Sequence, residues 1–326
     1  MNGDHGGVST FQVALVGPGG EPVDLWRTIQ SHGLTDVPPM RVDLLSRSLE
    51  ATLPVPGVGA RTVQVTAADG AAGQVTVLGS SLAAAGLLAT RTVVEHVLRL
   101  DEDLSGFYAL ATGDPDLAWA TAGAGRMARG ATVFEDVVKT ICTTNCTWSA
   151  TTRMITALVA HLGEPVQGAV PASPAGRVFP TAAAMAAADD AFYRDVVRAG
   201  YRGRYLRELA RLVVTGEVDL EGLGRATPEE LPDDEMARRL VALPGVGPYA
   251  AAHAMMLLGR SSRLILDSWT RPTYARLAGH PVPDADITAR FAPYGRWAGL
   301  AFWLLLTREW VETADEPMSS DSVIGP

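Results

Sequence analysis

The hydrophobic pattern changes period once along the chain, near Ser81, and that change divides what the two parts can form. Before it, β-forming residues cluster or alternate in Phe11 to Val16, and in Arg61 to Thr66 answered by Gln74 to Leu78 across the turn-forming segment 67–73. The Pro- and Gly-rich pieces between them (PGGEP, DVPPM, LPVPGVG) read as turns and loops. After it the spacing is helical: Leu87, Val94, Val97 and Leu98 share one helix face. Further helical runs follow in DPDLAWATAG, VFEDVVKTICTTNCTWSATTRMITALVAHLG, DDAFYRDVVRAGYRGRYLRELARLVV and DDEMARRLVAL, separated by Gly/Pro breaks. The expectation is an α+β chain, with a small antiparallel sheet domain over 1–82 and a mostly helical body over 83–326. The Pro-rich stretch from Glu164 to Pro180 reads as a loop within that body.

Several function classes fall away on composition. At 326 residues and 47% hydrophobic, the chain has enough material for a large buried core. No run of about 18 uninterrupted apolar residues suits a membrane span, and the first ten residues lack a basic flank before an apolar core. A cytoplasmic, monomeric protein is expected. The cysteines Cys142 and Cys146 lie four apart, too few for a four-cysteine iron–sulfur cluster or a structural zinc site, and read as reduced thiols on one helix face. No cofactor is expected. The net charge of −9 argues against nucleic acid, but Arg194, Arg198, Arg202, Arg204, Arg207 and Arg211 are gathered in one segment. Acidic residues gather elsewhere, in Glu229, Glu230, Asp233, Asp234 and Glu235 and in a tail after Trp310. A local basic face binds phosphates even on an acidic protein.

Residues 243–247 read Leu-Pro-Gly-Val-Gly, between an amphipathic run and a helix opening at Pro248, where a missing N–H costs nothing. Gly245 and Gly247 let the hairpin backbone approach another chain, and its free N–H groups with the following helix start suit a phosphate. About twenty residues later, after Leu264-Ile265-Leu266, Asp267 opens a further helical run. LPGVGPYAAAHAMMLLGRSSRLILDSWTRPTYARL resembles the helix-hairpin-helix DNA glycosylase superfamily, with the helix-hairpin-helix at 233–259. ICTTNCTWSATTRMITALVAHLG, FPTAAAM, AGYRGRYLRELA and YGRWAGLAFWLL resemble further blocks of the same superfamily in the same order, covering about residues 85–310. The β-rich N-terminus suits its 8-oxoguanine and bacterial 3-methyladenine glycosylase II branches.

The resemblance implies a two-lobed helical core that flips a damaged base out of double-stranded DNA and breaks its N-glycosidic bond, with Asp267 as the catalytic carboxylate. The plain alternative for Asp267 is a helix cap. Where some members carry a Schiff-base lysine this chain has Tyr249, and its sole lysine, Lys139, lies in another block. A monofunctional enzyme is therefore expected. By position Asn145, Tyr201 and Arg202 match the residues that fill the gap left by the extruded nucleotide. An asparagine inside a helical run is poor by propensity and hints at a loop or wedge. Backbone carbonyls of Val241, Leu243 and Val246 match those holding a monovalent cation at the hairpin, while Gly245, Val246 and Gly247 match its DNA contacts. Tyr249, His253, Trp269, Gly299 and Trp303 are expected in the lesion pocket, with Trp148 and Trp297 in the core. Trp303 offers a stacking face for an electron-poor alkylated purine such as 3-methyladenine. Two alternatives stand beside this: another substrate, such as 8-oxoguanine, uracil or hypoxanthine, and a helix-hairpin-helix protein that binds DNA without catalysis.

Overall fold

The structure is a computed structural model describing residues 9–167 and 174–311. The acidic tail lies outside them. The strands are β1 (Ser9–Ala14), β2 (Met40–Asp43), β3 (Ser48–Val55), β4 (Gly59–Ala68) and β5 (Ala72–Leu78). They form one antiparallel sheet in the order β1-β5-β4-β3-β2. The register places Ala51, Val63 and Val77 side by side, with Leu49, Val65 and Val75 beside them on the same face. That face is fully buried.

The helices are α1 (Leu25–Ile29), α2 (Ala84–Val97), α3 (Ser105–Ala111), α4 (Val133–Thr143), α5 (Trp148–Leu162), α6 (Ala182–Ala187) and α7 (Arg202–Val214). They continue with α8 (Leu220–Arg225), α9 (Asp233–Val241), α10 (Pro248–Leu257), α11 (Thr270–Ala278), α12 (Asp284–Phe291) and α13 (Ala298–Thr307). None is long and apolar enough to cross a membrane. The chain has the expected α+β composition of an N-terminal sheet followed by helices.

Packing crosses the boundary expected at residue 82. α2 lays Val94 and Val97, with Leu98, onto the buried face of the sheet, whose core they share. In the other direction, Leu34 and Val37 from the sheet region join the helical core. That second core is built around α4, α10 and α13, which are buried on nearly every side, as AAAHAMML and GLAFWLLL demand.

Local differences from the sequence expectation have local causes. The piece read as a loop, LPVPGVG, carries the end of β3 and the β3–β4 turn. Leu53 and Val55 are buried, and Gly57 takes φ +71° at the turn. DPDLAWATAG forms a 3-10 turn over Ala118–Ala122 rather than an α-helix. The run from Asp189 splits into a π-helical turn, Phe192–Val196, and α7, separated where Arg198 and Gly200 take positive φ.

Candidate active site

Asp267 follows the half-buried to buried stretch Leu264–Leu266 and opens the turn into α11. Its Oδ1 accepts the backbone N–H groups of Trp269 at 2.8 Å and Thr270 at 2.6 Å, and its own N–H donates to Thr270 Oγ1 at 2.8 Å. The cap anticipated as the plain alternative is therefore real. It engages one carboxylate oxygen, and the residue, half-buried, still lines a cavity.

The cavity and its open mouth together hold about 710 Å³ of space not filled by atoms. Tyr249 and His253 enter it from α10, with ring centres 4.7 Å apart, edge to face. Trp303 enters from α13 and meets His253 at 5.8 Å and Trp269 at 5.7 Å. Trp310 closes the group behind them, 5.4 Å from Trp269 and 5.7 Å from Trp303. The Trp303 indole N–H donates to the Ser31 carbonyl at 2.8 Å, which fixes the ring. Burial pushes the His253 imidazole down to about 4 and raises the Tyr249 phenol, so both are neutral at pH 7.

Part of the wall was not foreseen. His32, Gly33 and Leu34 reach into the cavity from the sheet region, and Trp148, expected in the core, lines it too. His32 is held in one tautomer: Nε2–H donates to the Ala128 carbonyl at 2.5 Å and Nδ1 accepts the Leu34 N–H at 3.2 Å. Burial lowers its pKa to about 4. Gly33 lies close against Trp148: a Cβ there would stand 2.9 Å from the edge of the ring, which would have to shift. No local spacing in the sequence marks these residues. Trp297 packs instead against Phe107, with ring centres 6.4 Å apart.

Gly299 is a correction. It lies away from the lining, where α13 crosses the 261–263 segment: its N–H donates to the Ser261 carbonyl at 2.7 Å. A Cβ would meet the Arg263 carbonyl oxygen at 2.2 Å. Its role is close packing, and it exposes nothing to the cavity.

Lys139 is fully buried on α4, 2.7 Å from Glu135 Oε1, and is absent from the cavity wall. Cys146 does line the cavity. Its thiol donates to the Cys142 carbonyl at 3.1 Å, and both cysteines are free. The block expected as one helix is broken at 144–147 between α4 and α5, and Asn145 stands exposed in that turn with φ +48°.

Asn145 Nδ2 donates to the Tyr201 hydroxyl at 3.3 Å. Arg202 stacks on the Tyr201 ring at 4.5 Å and donates to both the carbonyl and the hydroxyl of Thr144. The three gap-filling candidates thus form one assembly. The surrounding arginines divide. Arg194, Arg207 and Arg211 pair with Asp195, Asp190, and Glu208 with Glu217, whereas Arg198, Arg202 and Arg204 have no carboxylate partner among the described residues.

The hairpin joins α9 to α10. Gly245 takes φ +78°, and Gly247 is exposed with open space where a Cβ would stand. Val246 N–H donates to the Leu243 carbonyl at 3.2 Å, while the N–H groups of Gly245, Gly247 and Tyr249 have no protein acceptor among the described residues. Together with the α10 N-terminus these donors form a place for an anion.

No family model and no curated protein matches the sequence. Solved structures do. MBOgg1, in complex with a low-affinity DNA ligand, superposes with a TM-score of 0.68 at 17% identity, over 93% of this chain and 98% of its own. The 3-methyladenine DNA-glycosylase from Archaeoglobus fulgidus gives 0.67 at 19% identity, over 92% and 99%. The apo 8-oxoguanine glycosylase/lyase from Clostridium acetobutylicum gives 0.68 at 18% identity, over 92% and 98%. The chain has the fold of the helix-hairpin-helix DNA glycosylases.

Proposed function

We propose that the protein is a monofunctional DNA N-glycosylase of base-excision repair, acting on alkylated purines such as 3-methyladenine in duplex DNA. The observation that carries this reading is a carboxylate, Asp267, on the wall of an aromatic cavity in the glycosylase fold. When the C1′–N bond breaks, its electron pair leaves with the base and positive charge develops on the sugar. A carboxylate held there by two backbone N–H groups is already oriented to stabilise that charge. A water directed by the same carboxylate then bonds C1′, and its proton passes to solvent.

The substrate class rests on the lining. Asp267 is the one charged side chain among the lining residues when His32 and His253 are neutral. The π faces of Trp269, Trp303 and Tyr249 attract an electron-poor, cationic base more than a neutral one. Water is assigned as nucleophile because Tyr249 cannot form an imine and Lys139 is locked in its ion pair. The hairpin takes the DNA phosphate on its free N–H groups. The neutral carbonyls of Val241, Leu243 and Val246 are a donor set suited to a monovalent cation beside that phosphate.

The test is a panel of duplexes with single lesions. Free base is expected from the alkylpurine duplexes, with strand breakage only after alkali and no covalent complex after borohydride. Release confined to 8-oxoguanine would overturn the substrate assignment, and borohydride trapping at Lys139 the monofunctional one.

A further inference from the structure

One residue at the DNA-facing surface belongs to neither the gap-filling group nor the hairpin and touches both. Tyr205 lies one helical turn after Tyr201 on α7, and the two rings meet edge to face at 6.2 Å and 78°. On its other side it supports the hairpin. A Cβ at Gly245 would fall 2.9 Å from Tyr205 Cβ and 3.2 Å from Cγ, so the glycine backbone rests directly on this side chain. The neighbouring Arg204 holds the ring in place, with its guanidinium 4.6 Å from the ring centre and Nη2 donating to the Tyr205 hydroxyl at 2.8 Å. Arg204 is exposed and has no carboxylate partner among the described residues, unlike Arg207 and Arg211 on the same helix. A continuous line of contacts therefore runs from Asn145 through Tyr201 and Tyr205 to Gly245.

We infer that Tyr205 is a positioning residue that sets the spacing between the phosphate-holding hairpin and the gap-filling group Asn145–Tyr201–Arg202. The inference rests on the DNA-glycosylase reading above. Binding to intact duplex engages the hairpin alone. Binding to a duplex with a vacated position engages the hairpin and the gap-filling group together, and gains from both only if their separation is fixed beforehand. Arg204, stacked on the same ring, is placed as an additional cation for the phosphate backbone.

The experiment compares the affinity of the full chain for an intact duplex and for the same duplex carrying an uncleavable abasic analogue. Tyr205→Leu is expected to lower the preference for the abasic duplex roughly tenfold, the worth of an aromatic pair, while intact-duplex affinity changes by less than about twofold. Tyr205→Phe, which keeps both ring contacts and loses only the Arg204 hydrogen bond, is expected to retain the preference. A purely structural role would weaken both duplexes together. If Tyr205→Leu does not fold, Tyr205→Met places similar volume under the hairpin without a ring and is expected to show the same selective loss. Preference unchanged in Tyr205→Leu, or lost equally in Tyr205→Phe, overturns the inference alone. A wild-type protein with no preference for the abasic duplex overturns it together with the glycosylase reading.

Discussion

The carboxylate of Asp267 commits one oxygen to the turn that opens α11 and faces a cavity whose walls are otherwise uncharged, aromatic and apolar side chains with the hydroxyls of Thr140, Thr143 and Thr151 among them. Cap and candidate catalyst are thus one group, and the cap explains how the residue is held still. Gly299 illustrates the opposite case, in which a position that the family resemblance places in a pocket turns out to be a point of contact between backbones. Gly299→Ala forces a Cβ against the Arg263 carbonyl oxygen, a contact that backbone cannot yield cheaply. The expected result is a loss of about 2–3 kcal/mol in thermal or denaturant unfolding, in line with overpacking elsewhere. A variant as stable as wild type would mean that α13 is free to move away from the 261–263 segment.

At the scale of elements, the sequence was most informative where chemistry and geometry are local. Proline at 248 with glycines at 245 and 247 specifies a helix start after a tight turn, and α10 begins there. The disfavoured asparagine inside a helical run marked the break between α4 and α5. Two kinds of feature were not legible. β3 was concealed by Pro54 and Pro56, which look like loop residues, although their neighbours Leu53 and Val55 alternate inward once β4 is alongside. The wall formed by 32–34 depends on contacts with Trp148 and Ala128, about a hundred residues away, which no window of sequence contains. The arginine cluster looked uniformly basic. The spacing shows Asp195 beside Arg194 and Glu208 three residues before Arg211, but not that Asp190, 17 residues back, pairs with Arg207 while Arg204 stays unpaired among the described residues.

For the whole molecule, buried ionisable groups set a pH window. His32, His96 and His253 are pushed down to about 4, chiefly by burial, from an ordinary value of 6.5. The unfolded chain then binds more protons than the folded one below pH 6.5, and stability is lost as pH falls from there toward 4. Asp136 acts in the other direction. Burial and the nearby Glu135 push it up to about 7 from 3.8, so its contribution is full at low pH and is lost as pH rises through that interval. Three histidines outweigh one aspartate. Stability is expected to fall on acidification from pH 6.5, on the order of 1–3 kcal/mol per pH unit. Asp136→Asn keeps an acceptor for the Gly130 N–H and removes the opposing effect, so its acid loss should be steeper than that of wild type. Melting curves from pH 7 to 5 check this, and a melting temperature that rises on acidification contradicts it.

The sheet and the helical body should unfold together, because α2 packs on one and residues 32–34 complete the cavity of the other. What that assembly is for is tested most directly by single-turnover release of an alkylated purine from duplex DNA, comparing wild type with Asp267→Asn. The asparagine keeps an oxygen for the Trp269 and Thr270 N–H groups and loses the negative charge. The account predicts a fall in release of about a thousandfold or more, the scale of losing electrostatic stabilisation of a transition state, with binding to an abasic-analogue duplex retained. Release by Asp267→Asn at the wild-type rate would contradict it.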